Sequence, residues 1–196
     1  MYRMDKRKAQ AKTLRVFRKV HRTTGALLFV FFFFISVSGL ILGWKKNSNG
    51  KLLPKTQQGT TSNLKDWLPV DSLHTIAIGV LHNNVSPGLS PELDRIDIRK
   101  EKGSVKFVFV DHYTEIQLDG ATGKVLSIGQ RRSDFLEKVH DGSILDRHLG
   151  TDGVIKLVYT SVMGISLLLF TITGFWLWHG PKRMRKTAKR SVQVMS

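Results

Sequence analysis

Two uncharged apolar runs divide the chain. The first, GALLFVFFFFISVSGLILG, spans Gly25 to Gly43, 19 residues. As a helix it is ~29 Å long, the thickness of a bilayer's hydrocarbon core. The second, LVYTSVMGISLLLFTITGFWLW, spans Leu157 to Trp178, 22 residues. Trp44 closes the first run, and Trp176 and Trp178 close the second, as interfacial aromatics do. The pattern predicts two transmembrane helices, 25–44 and 154–179. Uncharged runs of this length argue against buried core helices of a soluble protein. LGWKK lacks the small residues of a signal-peptide cleavage site.

Between the runs the periodicity changes. Residues 45–69 are polar and read as a linker. Asp71 or Ser72 is placed to N-cap a helix through about Val85. Its apolar positions Leu73, Ala77, Val80, Leu81 and Val85 recur at helical spacing. SPGLSP (Ser86–Pro91) ends it. Period-2 stretches follow: Ile96 and Ile98; Val105, Phe107 and Phe109; Ile116 and Leu118. DGATGK (Asp119–Lys124) makes a tight turn into Val125, Leu126 and Ile128. The expectation for 70–130 is one helix on a small antiparallel sheet, an α+β unit. A juxtamembrane segment, 131–153, leads into the second span.

Charge sets the orientation. The net charge is +16. The basic tail 1–24 holds nine Lys/Arg and one Asp, and the tail 180–196 holds six Lys/Arg and no acid. The stretch between them is close to neutral. Basic flanks touching apolar runs follow the positive-inside rule, so both tails are expected in the cytoplasm and the loop outside. That topology and lipid headgroups account for the tails, so no nucleic acid is expected. The chain has no cysteine, which excludes disulfides, thiolate metal sites and covalent c-type haem. No Ser/His/Asp order, nucleotide-binding glycine loop or H-E-x-x-H occurs.

The ordered set of elements resembles a known family. The helix, the strands, FVFVDHYTEIQLD (Phe107–Asp119) and the following Asp119, Thr122, Gly123, Lys124, Val125 and Leu126 look like a PepSY domain. RKVHRTTG (Arg18–Gly25) opens the first span, KVHDG (Lys138–Gly142) precedes the second, and TITGFWLW (Thr171–Trp178) ends it. This arrangement is similar to the PepSY-associated transmembrane-helix family, over about residues 12–183. Members include iron-regulated inner-membrane proteins and ferric-siderophore reductases. Larger members carry two such units in tandem, and this chain carries one. The resemblance implies a bacterial inner-membrane protein with cytoplasmic termini and a periplasmic PepSY loop.

Seven histidines are the candidate chemistry. His21, His140, His148 and His179 flank the spans. The resemblance implies bis-histidine b-type haem, and it carries onto His21 and His140. A helix from His148 to His179 is ~46 Å long, so these two cannot ligate one iron from a single straight helix. A shared site pairs His21 with His179, or equivalent residues across a homodimer. The competing roles are contact with headgroups for His21, a local turn with Asp141 and Gly142 for His140, and solvent for His148 and His179. His74, His82 and His112 are read as solvated. Ser36, Ser38, Thr171 and Thr173 are expected to hydrogen-bond across helices or to their own backbone. The phenylalanines at 31–34 are expected to face lipid.

Two functions compete. One is haem-dependent electron transfer to a periplasmic acceptor such as a ferric chelate, a ferric-reductase-like oxidoreductase activity. The other is a non-catalytic, membrane-anchored module or accessory subunit whose PepSY domain binds a periplasmic partner.

Overall fold

A computed structural model describes residues 2–193, with side chains for 8–184. The chain forms two compact units. One comprises Met1–Val37 and Asp141–Ser196, the other Ser38–His140.

The first unit is helical. Helix α1 (Tyr2–Gly43) runs through both the basic tail and the first apolar run. The last helix, α5 (Val154–Gln193), likewise carries the second run into the C-terminal tail. Both tails therefore continue their helices, because Lys, Arg, Ala and Gln are good helix formers. Helix α5 even accommodates Pro181, which removes a single intrahelical donor. Each helix holds a stretch long and apolar enough to cross a membrane, Lys8–Gly43 and Val154–Met184. The two pack antiparallel. Phe17 meets Trp176, His21 meets Thr173, and a Cβ on Gly25 would sit 3.0 Å from Phe170. Phe31, Phe33 and Phe34 are exposed, whereas Phe32 turns an edge to Phe170. A short helix, α4 (Ser143–Leu149), ends at Gly150, whose φ is +63°. Its Asp146 caps α5 by accepting from the N–H groups of Ile155 and Lys156, both at 2.9 Å.

The second unit is an α+β layer. Helix α2 (Val70–Val80) continues into a wider turn at Leu81–Val85. The chain then enters the helix at Pro69, not at Asp71 or Ser72, and no side chain caps it. Pro69 fixes φ at −54° and has no N–H to satisfy, while Asp71 in the first turn offsets the helix dipole. Strands β1 (Leu93–Arg99), β2 (Ser104–Phe109), β3 (Thr114–Asp119) and β4 (Val125–Gln130) form an antiparallel meander in sequence order. Leu73, Ala77 and Leu81 of the helix layer pack on Val105, Phe107, Phe109, Ile116 and Leu118. In the β3–β4 turn, the Asp119 carboxylate accepts from the N–H of Ala121 at 2.8 Å, and Gly123 takes φ +69°.

Residues 45–69, expected as a linker, are instead tied down. The Gly59 N–H donates to Lys102 O at 2.7 Å, the Gln57 N–H to Gln117 Oε1 at 2.9 Å, and the Thr60 N–H to Asp119 Oδ2 at 2.9 Å. The Trp67 indole donates to Thr61 O at 2.9 Å and lies on Gly120, where a Cβ would come within 2.4 Å of the ring. The strap lies over the sheet face opposite α2 around Lys55 and Gln57, which bond Gln117 and Ser104, while Trp67 and Leu68 pack against the core on the α2 side. All six residues of β2 and all six of β3 are therefore buried. Helix α3 (Arg132–His140) closes the unit.

Candidate functional site

Two of the four candidate histidines sit in matching surroundings. In the helical unit, His21 of α1 turns toward α5. Its Nδ1 lies 3.0 Å from Thr173 Oγ1, and its ring stacks on Phe170 with centroids 3.8 Å apart. A Cβ on Gly174 would be 3.4 Å from the ring's Cε1, so the ring rests on bare helix backbone. In the sheet unit, His140 ends α3 and meets the last turns of α1. Its Nδ1 is 2.8 Å from Ser38 Oγ, and a Cβ on Gly39 would be 3.5 Å from its Cε1. Each histidine thus uses a hydroxyl residue and the glycine that follows it.

The hydroxyl fixes the tautomer at His21. Thr173 Oγ1 also lies 2.7 Å from the Leu169 carbonyl and 3.1 Å from that of Phe170. A hydroxyl has one hydrogen, and here it goes to the helix's own carbonyls. Thr173 therefore accepts from Nδ1–H, and neutral His21 keeps its lone pair on Nε2. Anchoring one ring nitrogen through a hydrogen bond is how a protein orients an imidazole whose other nitrogen is to bind a metal.

The sequence holds the signal for this correspondence, unread in the expectations above. Lys-Val-His occurs at 19–21 and again at 138–140. Ser-Val-Ser-Gly at 36–39 is echoed by Thr-Ile-Thr-Gly at 171–174. The histidine before each apolar run pairs with the hydroxyl-glycine motif of the other run.

The other two candidates differ. His148 is exposed and its Nδ1 lies 2.9 Å from the Ile144 carbonyl of its own helix. His179 stacks on Phe175, nearly parallel at 5.6 Å, with Trp176 and Trp178 beside it. His21 engages Thr173 and Phe170, not His179. Among the described residues no group of three or more His, Cys, Asp or Glu converges.

The remaining histidines are less open to water than expected. His74 stacks on Phe107 at 5.9 Å, and its Nε2 is buried without a hydrogen-bond partner. His82 Nε2 lies 3.2 Å from the Leu89 carbonyl, and His112 bonds Thr114 and the Ser90 carbonyl.

A buried charge network lies under the strap, unforeseen from the sequence. Glu115, fully buried, accepts from Lys106 at 3.3 Å, from Gln117 at 2.6 Å and from Arg131. Arg131 Nε also donates to Asp134 at 2.8 Å, and Arg95 reaches the same carboxylate at 2.6 Å. Burial alone would raise the Asp134 pKa, but the bonds from Arg131 and Arg95 hold it below the usual carboxylate range. Burial lowers the Lys106 pKa despite Glu115. These groups pair with one another, so the network is a fastener between the sheet and α3.

Comparison with protein-family models, with curated proteins and with solved structures gives no match for this chain.

Proposed function

We propose that the chain is a membrane protein of the PepSY transmembrane kind that binds b-type haem and passes electrons across the bilayer. The observation that carries this reading is the anchoring of His21 Nδ1 on Thr173. It leaves the lone pair of Nε2 available as an axial donor. His140 on Ser38 repeats the arrangement. His21 and His140 would each hold haem iron through one imidazole nitrogen. A second imidazole would come from another copy of the chain or from a partner subunit. Bound haem supplies a one-electron carrier. The protein's residues orient its ligands and, through the apolar runs, keep water away. The acceptor side is the periplasmic loop, with a ferric chelate as the substrate class the resemblance suggests.

The test is the absorption spectrum of detergent-purified protein, oxidised and then dithionite-reduced, with a pyridine haemochrome assay. A low-spin b-type spectrum, lost in His21→Ala or His140→Ala, supports the reading. Colourless protein from haem-replete cells overturns it. The working part is then the strapped sheet unit, acting as an anchored binding module for a periplasmic partner.

A further inference from the structure

Helix α3 carries its polarity the wrong way round for a surface in water. Asp134 is buried, held by Arg131 and Arg95. Lys138, one turn on, lies 4.0 Å from the Asp94 carboxylate and 5.0 Å from the centre of the Tyr113 ring. These two charged side chains face the sheet. Phe135 and Val139, also one turn apart, are 45 % and 44 % exposed. Phe135 keeps only a ring edge on Tyr113, with centroids 6.0 Å apart. A helix on a water-facing surface does the reverse, burying its apolar stripe and showing its charges to solvent.

The end of α3 fixes the level of this face. Glu137 pairs with Lys45, just beyond the first apolar run. One turn further, His140 reaches Ser38 and Gly39, inside that run. Gly39 stands four residues before Gly43, so this contact lies about 6 Å into the apolar segment. Helix α3 thus descends along the end of α1, from its polar border to its uncharged side chains.

We propose that α3 is an interfacial helix whose Phe135 and Val139 insert into the leaflet at this end of α1. The partner of this face is the lipid surface. Interfacial helices bury an apolar face about 5–10 Å into the boundary of headgroups and acyl chains. That depth matches the place of His140 beside Gly39. The inference rests on α1 lying in a membrane. It does not rest on haem.

The test uses the absence of cysteine, which makes each introduced thiol unique. Full-length protein carrying Phe135→Cys, Val139→Cys, Leu40→Cys or Lys124→Cys is spin-labelled and reconstituted into vesicles of phosphatidylethanolamine and phosphatidylglycerol. Power-saturation electron paramagnetic resonance compares collisions with oxygen, which concentrates in hydrocarbon, and with a nickel chelate, which stays in water. Position 40, exposed in the apolar run, marks lipid, and position 124, exposed in the β3–β4 turn, marks water. Labels at 135 and 139 favour oxygen over nickel, the reverse of 124. The ratio at 139 comes nearer to that at 40, because α3 descends toward its C-terminus. Preference for nickel at 139 overturns the proposal. Protection from both reagents also overturns it, since a second copy or another protein then covers the face. A label at 40 that favours nickel removes the membrane premise itself. Colourless protein whose labels at 135 and 139 favour oxygen sinks the haem reading alone.

Discussion

Thr173 is 3 % exposed and holds the Nδ1 of a histidine on the neighbouring helix. Thr173→Val keeps the shape of the side chain and deletes the acceptor, leaving a part-buried imidazole N–H unpaired. If His21 ligates haem, its occupancy falls by about tenfold or more, the usual cost of losing a partner behind a ligand. Thr173→Ser restores it, and a haemochrome-to-protein ratio measures both. A purely structural threonine would lower stability and leave haem content per folded protein unchanged. Gly120 belongs to the same scale. Its missing Cβ would come within 2.4 Å of Trp67, so Gly120→Ala forces the indole off the turn. Overpacking of this kind costs about 1–3 kcal/mol, which thermal unfolding of the detergent-solubilised chain would register. Neither residue declares this from its position in the sequence. A glycine in a DGATGK turn predicts the turn, and only the folded chain brings Trp67 across it.

Among the elements, the strap and α3 depend on charges buried between them and the sheet. Arg131 contacts both Glu115 and Asp134. Arg131→Met leaves the Glu115 carboxylate buried with less compensation, so a loss of about 3–5 kcal/mol is expected from unfolding measurements. Replacing Glu115 and Arg131 together by apolar residues of like volume costs less, because no charge is left alone. The same carboxylates set an acid limit. Asp134 and Asp119 have folded-state pKa values below their ordinary ones. In Asp119 the bonds from Thr60, Ala121 and Thr122 outweigh burial. The unfolded value is about 3.9. Their stabilisation is therefore complete above about pH 4 and is lost as pH falls through the lowered folded values. Melting temperatures between pH 6 and pH 2 should fall below about pH 4, and less steeply in an Asp134→Asn variant. The strands themselves were legible from the alternation of Phe107, Phe109, Ile116 and Leu118. The covering of the opposite face was not, because the strap's polar residues work through backbone and side-chain hydrogen bonds that no hydrophobic period records.

For the whole molecule, the decisive features are two long apolar helices and two histidines in equivalent settings. If these histidines hold haem through two imidazoles, the second would come from outside the protomer. Size-exclusion chromatography with light scattering should accordingly find haem-loaded protein as a dimer or larger, and His21→Ala should lose haem with the helices still folded. A haem-loaded monomer would contradict the two-copy arrangement.

The sequence by itself determined the two membrane-length helices, the helix on a small antiparallel sheet, and the concentration of net positive charge in the tails. Those follow from local composition and period, which act over a few turns or strand pairs. The tertiary structure decided which side chains the histidines meet, that the polar stretch 45–69 is a strap, and that Glu115, Arg131 and Asp134 share one buried network. Their partners stand tens of residues away, and His21 and Thr173 are 152 residues apart. Distance along the chain carries no record of such a contact until antiparallel packing of α1 and α5 aligns one turn with the other.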